Sequence, residues 1–211
     1  MKSSSYFVTG IGTDVGKTIA SAILCNVLEL DYWKPVQTGD FDQHDRHVVS
    51  KYQNDPKFKI FEESYAFKQP LSPHIAAELD DRKIEFTEIT LPESKRGLIV
   101  EGAGGVLVPL DWGGRTNLDL VKSLGLSVIL VSRHYLGSIN HTLLSIEIMK
   151  QHNISIHGIV YVGEEIQGTK KIIEHISKIP TLLEIPIFQN LSEKNVIDYI
   201  DIHRENIKKA F

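Results

Sequence analysis

The segment that constrains the fold most lies near the N-terminus, where a short apolar run enters a glycine-rich loop. Residues 6–9 are predicted to form a buried strand, residues 10–16 the loop, and residues 17–29 a helix. This order, with Gly16-Lys17-Thr18 at the helix start, is typical of a P-loop, whose backbone N–H groups and lysine contact phosphates. Gly10 lies six residues before Gly16, one more than in the common motif, so the loop is a variant. A glycine-rich turn followed by a solvated lysine is the alternative interpretation.

Short runs rich in valine and isoleucine alternate with helical stretches along the rest of the chain. Further strands are predicted at residues 32–36, 98–101, 127–132, 156–162 and 181–185, and a loop at 54–60. Further helices are predicted at 44–52, from Ser72-Pro73-His74 onward, and at 117–124, 138–152, 169–179 and 192–209. The alternation indicates an α/β fold, with a mostly parallel sheet covered by helices on both faces. We expect residues 1–211 to form a single domain whose ligands bind beyond the carboxyl ends of the strands.

Composition excludes several classes of protein. The apolar fraction of 42% and the charged fraction of 24% are typical of a globular domain. A net charge of −4 argues against duplex nucleic acid or an anionic membrane as the main partner. One cysteine, Cys25, excludes an internal disulfide and a multi-cysteine metal centre. No apolar run approaches the roughly 20 residues that span a bilayer, so we expect a soluble, cytoplasmic protein.

A second motif follows the strand predicted at residues 98–101. This strand ends at Glu101 and leads into Gly102-Ala103-Gly104-Gly105, which we predict to be a turn. A carboxylate at the end of an apolar strand beside a P-loop is the Walker B arrangement, which holds Mg²⁺ directly or through water. The alternative is an acidic residue that only caps a nearby backbone group.

Two further loops carry groups suited to an anionic substrate. Lys34 follows the second strand, where a cation would lie near a transferring phosphoryl group, although it could also be a solvated surface lysine. The nearby carboxylates could supply another Mg²⁺ ligand or form only a solvated loop; they are Asp40, Asp42 and Asp45. Residues 137–141 open a long helix, with Ser138 as the predicted N-cap. Such a helix N-terminus can bind a carboxylate, or it can be an ordinary capped helix.

In combination these motifs are more specific than a P-loop alone. They occur in the order Tyr6-Phe7-Val8-Thr9-Gly10, Gly12-Thr13-Asp14-Val15-Gly16-Lys17-Thr18, Lys34-Pro35-Val36, Ser72-Pro73-His74, Val100-Glu101-Gly102-Ala103-Gly104-Gly105 and Leu136-Gly137-Ser138-Ile139-Asn140-His141. The set closely resembles the dethiobiotin synthetase family from Tyr6 to about Ile187. The resemblance implies an ATP- and Mg²⁺-dependent ring closure that converts 7,8-diaminononanoate and CO₂ into dethiobiotin. It also implies a homodimer with the substrate site near the subunit interface.

The family pattern also implies a role for each motif residue. Lys17 and Lys34 stabilise the phosphoryl group, and the metal ligands are Thr18, Asp45 and Glu101. The nucleotide is bound by Gly12, Thr13, Asp14, Val15, Gly16, Lys17, Thr18, Ile19, Asp45, Glu101, Gly102, Ala103, Gly104, Ile185, Pro186 and Ile187. The diamine end of the substrate faces Thr13, Lys34, Thr38 and Gly104, and its distal carboxylate meets Gly137, Ser138, Ile139 and Asn140.

The chain departs from the family after the strand at residues 156–162. Where the family commonly has an adenine-reading asparagine, this chain has Tyr161-Val162-Gly163-Glu164. Without a side-chain amide that reads the base edge, discrimination between ATP and other nucleoside triphosphates should weaken. We therefore predict relaxed nucleotide specificity. The family's partner-supplied tyrosine near the substrate carboxylate also has no counterpart in residues 168–178.

Three other functions are compatible with a P-loop. A ParA- or MinD-like ATPase switch carries a signature lysine near the start of its loop, where this chain has Gly12. A cobyrinic-acid amidase of the same fold needs a glutaminase module for which 211 residues leave no room. A catalytically inactive relative is disfavoured because Lys17, Thr18, Lys34 and Glu101 are all present.

Overall fold

The computed structural model describes residues 4–39 and 44–211, in which strands and helices alternate. The strands are β1 (Tyr6–Gly10), β2 (Asp31–Trp33), β3 (Val36–Thr38), β4 (Ile60–Phe61), β5 (Tyr65–Phe67), β6 (Leu98–Gly105), β7 (Ser127–Arg133), β8 (Ile156–Val162) and β9 (Thr181–Ile185). The helices are α1 (Lys17–Leu28), α2 (Asp45–Ser50), α3 (Pro73–Leu79), α4 (Asn117–Leu124), α5 (Ser138–Gln151), α6 (Thr169–Ser177) and α7 (Glu193–Lys209), with a 3₁₀ turn at Phe86–Glu88. None of the helices in the described ranges is long and apolar enough to cross a membrane.

Seven strands form the main sheet, in the order β4-β2-β6-β1-β7-β8-β9, and all of their pairings are parallel. Alternate residues of each strand face opposite sides, so the core divides into two buried clusters. Val8 belongs to the cluster that packs with α1 and α7, and Phe7 belongs to the cluster that packs with α4 and α5. The predicted α/β fold, with a parallel sheet between two layers of helices, is confirmed.

Strand β1 lies at the centre of the sheet, between β6 and β7. Strands β2, β4 and β6 lie on one side of it and β7 to β9 on the other, so the order of strands changes direction at β1. Ligands of open parallel sheets bind beyond the carboxyl ends of the strands at such a switch point. The loop between β1 and α1 lies there. It ends at Gly16, whose φ of 95° favours glycine, and a Cβ at Gly16 would lie 3.1 Å from the side chain of Val162.

Three predicted segments differ from the structure. The single strand predicted at 32–36 is two strands, because Pro35 has no N–H to continue the ladder and β3 leaves the main sheet to pair with β5. Residue 60, predicted to be loop, begins β4, and β5 was not predicted at all. The turn predicted at 102–105 is wrong, since β6 continues to Gly105, which is paired with Gly10.

Candidate active site

A cavity of about 770 Å³ opens at the carboxyl ends of β1 and β6, beside the loop that precedes α1. It is lined by predicted site residues from four separate segments of the chain. They are Thr13, Asp14, Gly16, Lys17, Thr18, Ile19, Lys34, Thr38, Asp45, Glu101, Ala103 and Gly104. The sheet therefore brings together the phosphate loop and the carboxylates that the sequence places far apart.

Other predicted site residues do not line this cavity. Gly12 accepts a 3.3 Å hydrogen bond from Lys17 Nζ through its carbonyl, and Val15 is buried in the core. Gly102 faces the core, because a Cβ there would lie 2.7 Å from the ring of Phe7. The end of β9 lies beside the end of β8, where Gly163 N–H donates to the carbonyl of Ile185 at 2.8 Å. Pro186 and Ile187 follow this strand.

The centre of the cavity holds one hydroxyl, two carboxylates and one ammonium group. Thr18 Oγ1 lies 2.8 Å from Asp45 Oδ1 and 3.0 Å from Glu101 Oε1, so the hydroxyl lies between the two carboxylates and can donate its one proton to either. Lys34 Nζ forms ion pairs with both carboxylates and lies 3.4 Å from Glu101 Oε1. Asp40 and Asp42, the alternative acidic residues, lie outside the described residues.

Glu101 is fully buried, and both of its carboxylate oxygens have hydrogen-bond donors. Oε1 accepts from Thr18 and Lys34, and Oε2 accepts a 3.0 Å hydrogen bond from the hydroxyl of Tyr32. A buried carboxylate is costly unless it is paired and hydrogen-bonded, and Glu101 meets both conditions. Burial, followed by the charge of Glu101, raises the pKa of Tyr32 well above its usual value, so this phenol remains a donor.

The two lysines of the cavity differ in their electrostatic surroundings. Burial alone would lower the pKa of Lys34, but Glu101 and Asp45 offset that effect and the pKa lies above its ordinary value. The pKa of Lys17 is lowered, chiefly by burial, with Glu101 opposing the change. For Asp45, burial raises the pKa, but the charge and hydrogen bond of Lys34, the Thr18 hydroxyl and the charge of Lys17 together outweigh burial. The pKa of Asp45 therefore lies below its ordinary value, and the carboxylate is ionised. Lys34 thus pairs with both carboxylates, and Lys17 lies in the same cavity as a second lysine.

The donor set of Thr18, Asp45 and Glu101 fits Mg²⁺. This ion usually keeps several waters and is held by one or two carboxylates together with substrate phosphates. Two carboxylates converge here on the P-loop hydroxyl, and their shared counter-ion is the ammonium of Lys34. Throughout residues 4–39 and 44–211, no group of three or more His, Cys, Asp or Glu side chains is arranged to hold a metal ion.

Helix α5 begins away from this cavity. None of Gly137, Ser138, Ile139 and Asn140 lines it. The predicted N-cap at Ser138 is wrong, because Gly137 occupies that position with a φ of 107° and no side chain caps the helix. Ser138 is instead the first helical residue, and its hydroxyl is buried.

Two buried polar residues that shape the site were not predicted. Tyr32 supports Glu101, and Asn117 Nδ2 donates to the carbonyls of Ala103 at 2.6 Å and Gly105 at 2.8 Å. These two contacts lie on either side of Gly104, whose φ is 72°, at the irregular end of β6. No local signal marks either residue, because a tyrosine in a strand and an asparagine at a helix start are both common.

Solved structures that resemble this chain are P-loop proteins. A plasmid partition protein from Borrelia burgdorferi, solved with AMPPNP, has a TM-score of 0.58 at 16% identity, over 100% of this chain and 98% of that one. A ParA-family ATPase from Chlorobium tepidum has a TM-score of 0.53 at 12% identity, over 94% and 99% of the two chains. At such low identity, these structures establish the fold alone.

Sequence relatives are much closer. The family described as "AAA domain" (AAA_26) matches residues 4–195. An ATP-dependent dethiobiotin synthetase BioD from Christiangramia forsetii is 43% identical, over 96% of this chain and 97% of the relative. A protein of the same name from Cytophaga hutchinsonii is 42% identical, over 92% and 94%. With relatives of this identity along nearly its whole length, the chain belongs to the family of ATP-dependent dethiobiotin synthetases, as its motifs predicted.

Proposed function

We propose that this chain is a ligase of biotin biosynthesis that closes the ureido ring of dethiobiotin from 7,8-diaminononanoate, CO₂ and ATP. One observation carries the proposal: Lys17, Lys34, Thr18, Asp45 and Glu101 meet in one cavity beside the phosphate loop. Its relatives of about 40% identity carry the name of that activity. We propose that residues 1–211 act as one catalytic domain, located in the cytoplasm.

The reaction makes two N–C bonds to one carbon. One amine of the diamine adds CO₂ and loses a proton, which gives a carbamate. A carbamate oxygen attacks the γ-phosphorus of ATP and ADP leaves, which gives a carbamic–phosphoric anhydride. The second amine then attacks the carbonyl carbon and loses a proton, the ring closes and phosphate leaves. Phosphoryl transfer asks the protein chiefly for positioning and for neutralisation of charge.

The charged side chains of the cavity match those requirements. Lys34 is buried and cationic, and we propose that it stabilises the charge that develops between the phosphoryl acceptor and the γ-phosphate. Lys17 starts α1, whose N-terminal N–H groups favour the phosphates. Thr18, Asp45 and Glu101 would hold Mg²⁺, which neutralises phosphate charge when it is bound. Thr13, Thr38 and Gly104 also line the cavity, in positions to contact the diamine.

We also propose that the enzyme acts as a homodimer. The N-terminus of α5 has no side-chain cap and is suited to a carboxylate, yet its residues do not line the cavity of their own chain. If Gly137, Ser138, Ile139 and Asn140 bind the distal carboxylate, a second copy must bring them to the cavity. The neighbouring Leu136 is 97% exposed, which is consistent with a subunit contact.

One assay tests the reaction. Purified protein is incubated with 7,8-diaminononanoate, Mg·ATP and labelled bicarbonate, and acid-stable label is sought that co-migrates with dethiobiotin. We expect product, with kcat lowered by roughly 10²–10³ in Lys17→Ala and in Lys34→Ala. The exposed lysine of α4 supplies the control, Lys122→Ala, which should keep full activity. No label, with ATP hydrolysis stimulated instead by DNA or lipid, would contradict the proposal and favour an ATPase switch.

A further inference from the structure

Both neighbours of Asp45 in the sequence contact the same carboxylate. His44 Nδ1 forms a 3.1 Å hydrogen bond with Glu63 Oε1, and Arg46 Nη1 forms a 3.1 Å ion pair with Glu63 Oε2. The side chain of Glu63 is only 5% exposed, and that of His44 only 7%. Each oxygen of Glu63 therefore contacts one of the two sequence neighbours of Asp45.

Helix α2 is too short to fix the position of Asp45 by itself. It has six residues, Asp45 is the first of them, and no side chain caps its N-terminus. Isolated helices of this length are unstable, so their geometry depends on tertiary contacts. Asp45 itself contacts Thr18 and Lys34, and both of its sequence neighbours contact Glu63, which lies 18 residues later in the chain.

Glu63 in turn lies in a short connection between two strands that are each paired in a sheet. It falls between β4, which pairs with β2 of the main sheet, and β5, which pairs with β3. The adjacent carbonyl of Glu62 accepts a 3.0 Å hydrogen bond from the indole of buried Trp33. A displacement of α2 relative to the sheet would therefore break two polar contacts to a buried carboxylate, which is costly.

We propose that Glu63 is a positioning residue for the metal site, and that it holds Asp45 at the distance from Thr18 and Glu101 at which the three can share one Mg²⁺. The inference rests on the proposed function, since it requires the metal to bind at these three residues. Groups that orient metal ligands typically change metal affinity or activity by roughly 10- to 100-fold when they are removed.

The direct test measures Mg²⁺ binding. Titration calorimetry with Mg²⁺ is carried out on protein saturated with a non-hydrolysable ATP analogue. We expect Glu63→Gln, which keeps the shape but removes the charge, to raise the Kd for Mg²⁺ roughly tenfold. Arg46→Gln removes one of the two contacts, at a partly exposed side chain, and leaves the buried carboxylate of Glu63 intact, so it should give a smaller shift in the same direction. The matched control is Glu62→Gln, whose side chain is exposed and should leave the Kd unchanged.

A second comparison separates positioning from general stability. If Glu63 acts through Asp45, adding Glu63→Gln to a protein that already carries Asp45→Asn should not weaken Mg²⁺ binding any further. A lower Tm for Glu63→Gln with an unchanged Kd for Mg²⁺ would overturn the proposal, as would equal shifts in the presence and absence of Asp45. If wild type forms labelled dethiobiotin without a divalent cation, the metal role in the proposed function fails, and this inference fails with it.

Discussion

The hydroxyl of Tyr32 donates a 3.0 Å hydrogen bond to Glu101 Oε2 between two adjacent strands of the main sheet. Both residues are fully buried. The phenol therefore occupies the carboxylate oxygen that Thr18 and Lys34 leave unused. Oε1 remains directed toward the cavity groups, which is the orientation that a metal ligand needs at this position.

Tyr32→Phe removes this hydrogen bond without changing the size of the ring much. A hydrogen bond to a charged group contributes about 1.5–3 kcal/mol, so the free energy of unfolding in urea should fall by that amount. The enzyme's kcat should fall roughly tenfold, because Glu101 loses part of its orientation. The matched control is Tyr52→Phe, which removes a 3.1 Å hydrogen bond to the carbonyl of Leu191. The control should lose only about 1 kcal/mol and keep its kcat. Equal losses of stability and full activity in both variants would contradict this role of Tyr32.

Much of the cavity could be predicted because its residues occur in local patterns. The loop before α1 is recognisable from its glycines and Gly16-Lys17-Thr18, and Glu101 from its place after an apolar run. The parallel-sheet rule then predicts that Thr18 and Glu101 meet, although 83 residues separate them.

The supporting residues could not be predicted, because each depends on contacts distant in the sequence. Glu63 is one of two adjacent glutamates, and only the fold shows that it bonds both neighbours of Asp45 while Glu62 faces solvent. Asn117 likewise donates to the carbonyls of Ala103 and Gly105, and only the fold shows that this glycine-rich segment is the irregular end of a strand rather than a turn. Glycine composition alone does not distinguish the two conformations.

The nucleotide preference should be set at the end of β8. Val162 packs beside Gly16. Tyr161 is buried, and its ring is stacked against that of His134 at 5.2 Å. Neither residue offers a side-chain amide to the base. We expect wild type to use ATP, CTP and GTP with comparable kcat/KM. Val162→Asn should give a preference for ATP of roughly tenfold or more. The introduced side-chain amide can hydrogen-bond to the edge of adenine, and it would be left without a partner when another base is bound. A strong ATP preference in wild type would contradict the prediction.

Subunit assembly can be tested at Leu136, the 97% exposed residue that precedes α5. We expect wild type to sediment at twice the 23.8 kDa mass of one chain. Leu136→Asp should lower the dimer fraction and the kcat/KM for the diamine together, since a charge at the contact must be desolvated. Ile202→Asp on α7, at a 75% exposed position, is the control and should change neither quantity. An active wild-type monomer would exclude the proposed sharing of the site.

The pH dependence of stability should reflect His157, whose ring contacts those of Tyr6, at 4.8 Å, and Phe211, at 4.9 Å. Burial lowers the pKa of His157, and a hydrogen bond to the Ala210 backbone opposes that change only in part. The unfolded chain, with a histidine pKa of about 6.5, therefore binds this proton more readily than the folded chain does. The neutral His157 ring therefore makes its full contribution to the free energy of unfolding above about pH 6.5. This contribution is lost as the pH falls through the lower pKa of the folded state. The free energy of unfolding in urea is measured at about pH 7.5 and at about pH 5.5. Between these two values, His157→Phe should lose less stability than wild type does. The control His152→Gln, at an exposed position, should lose as much as wild type. An equal loss in wild type and His157→Phe would assign the pH dependence to other groups.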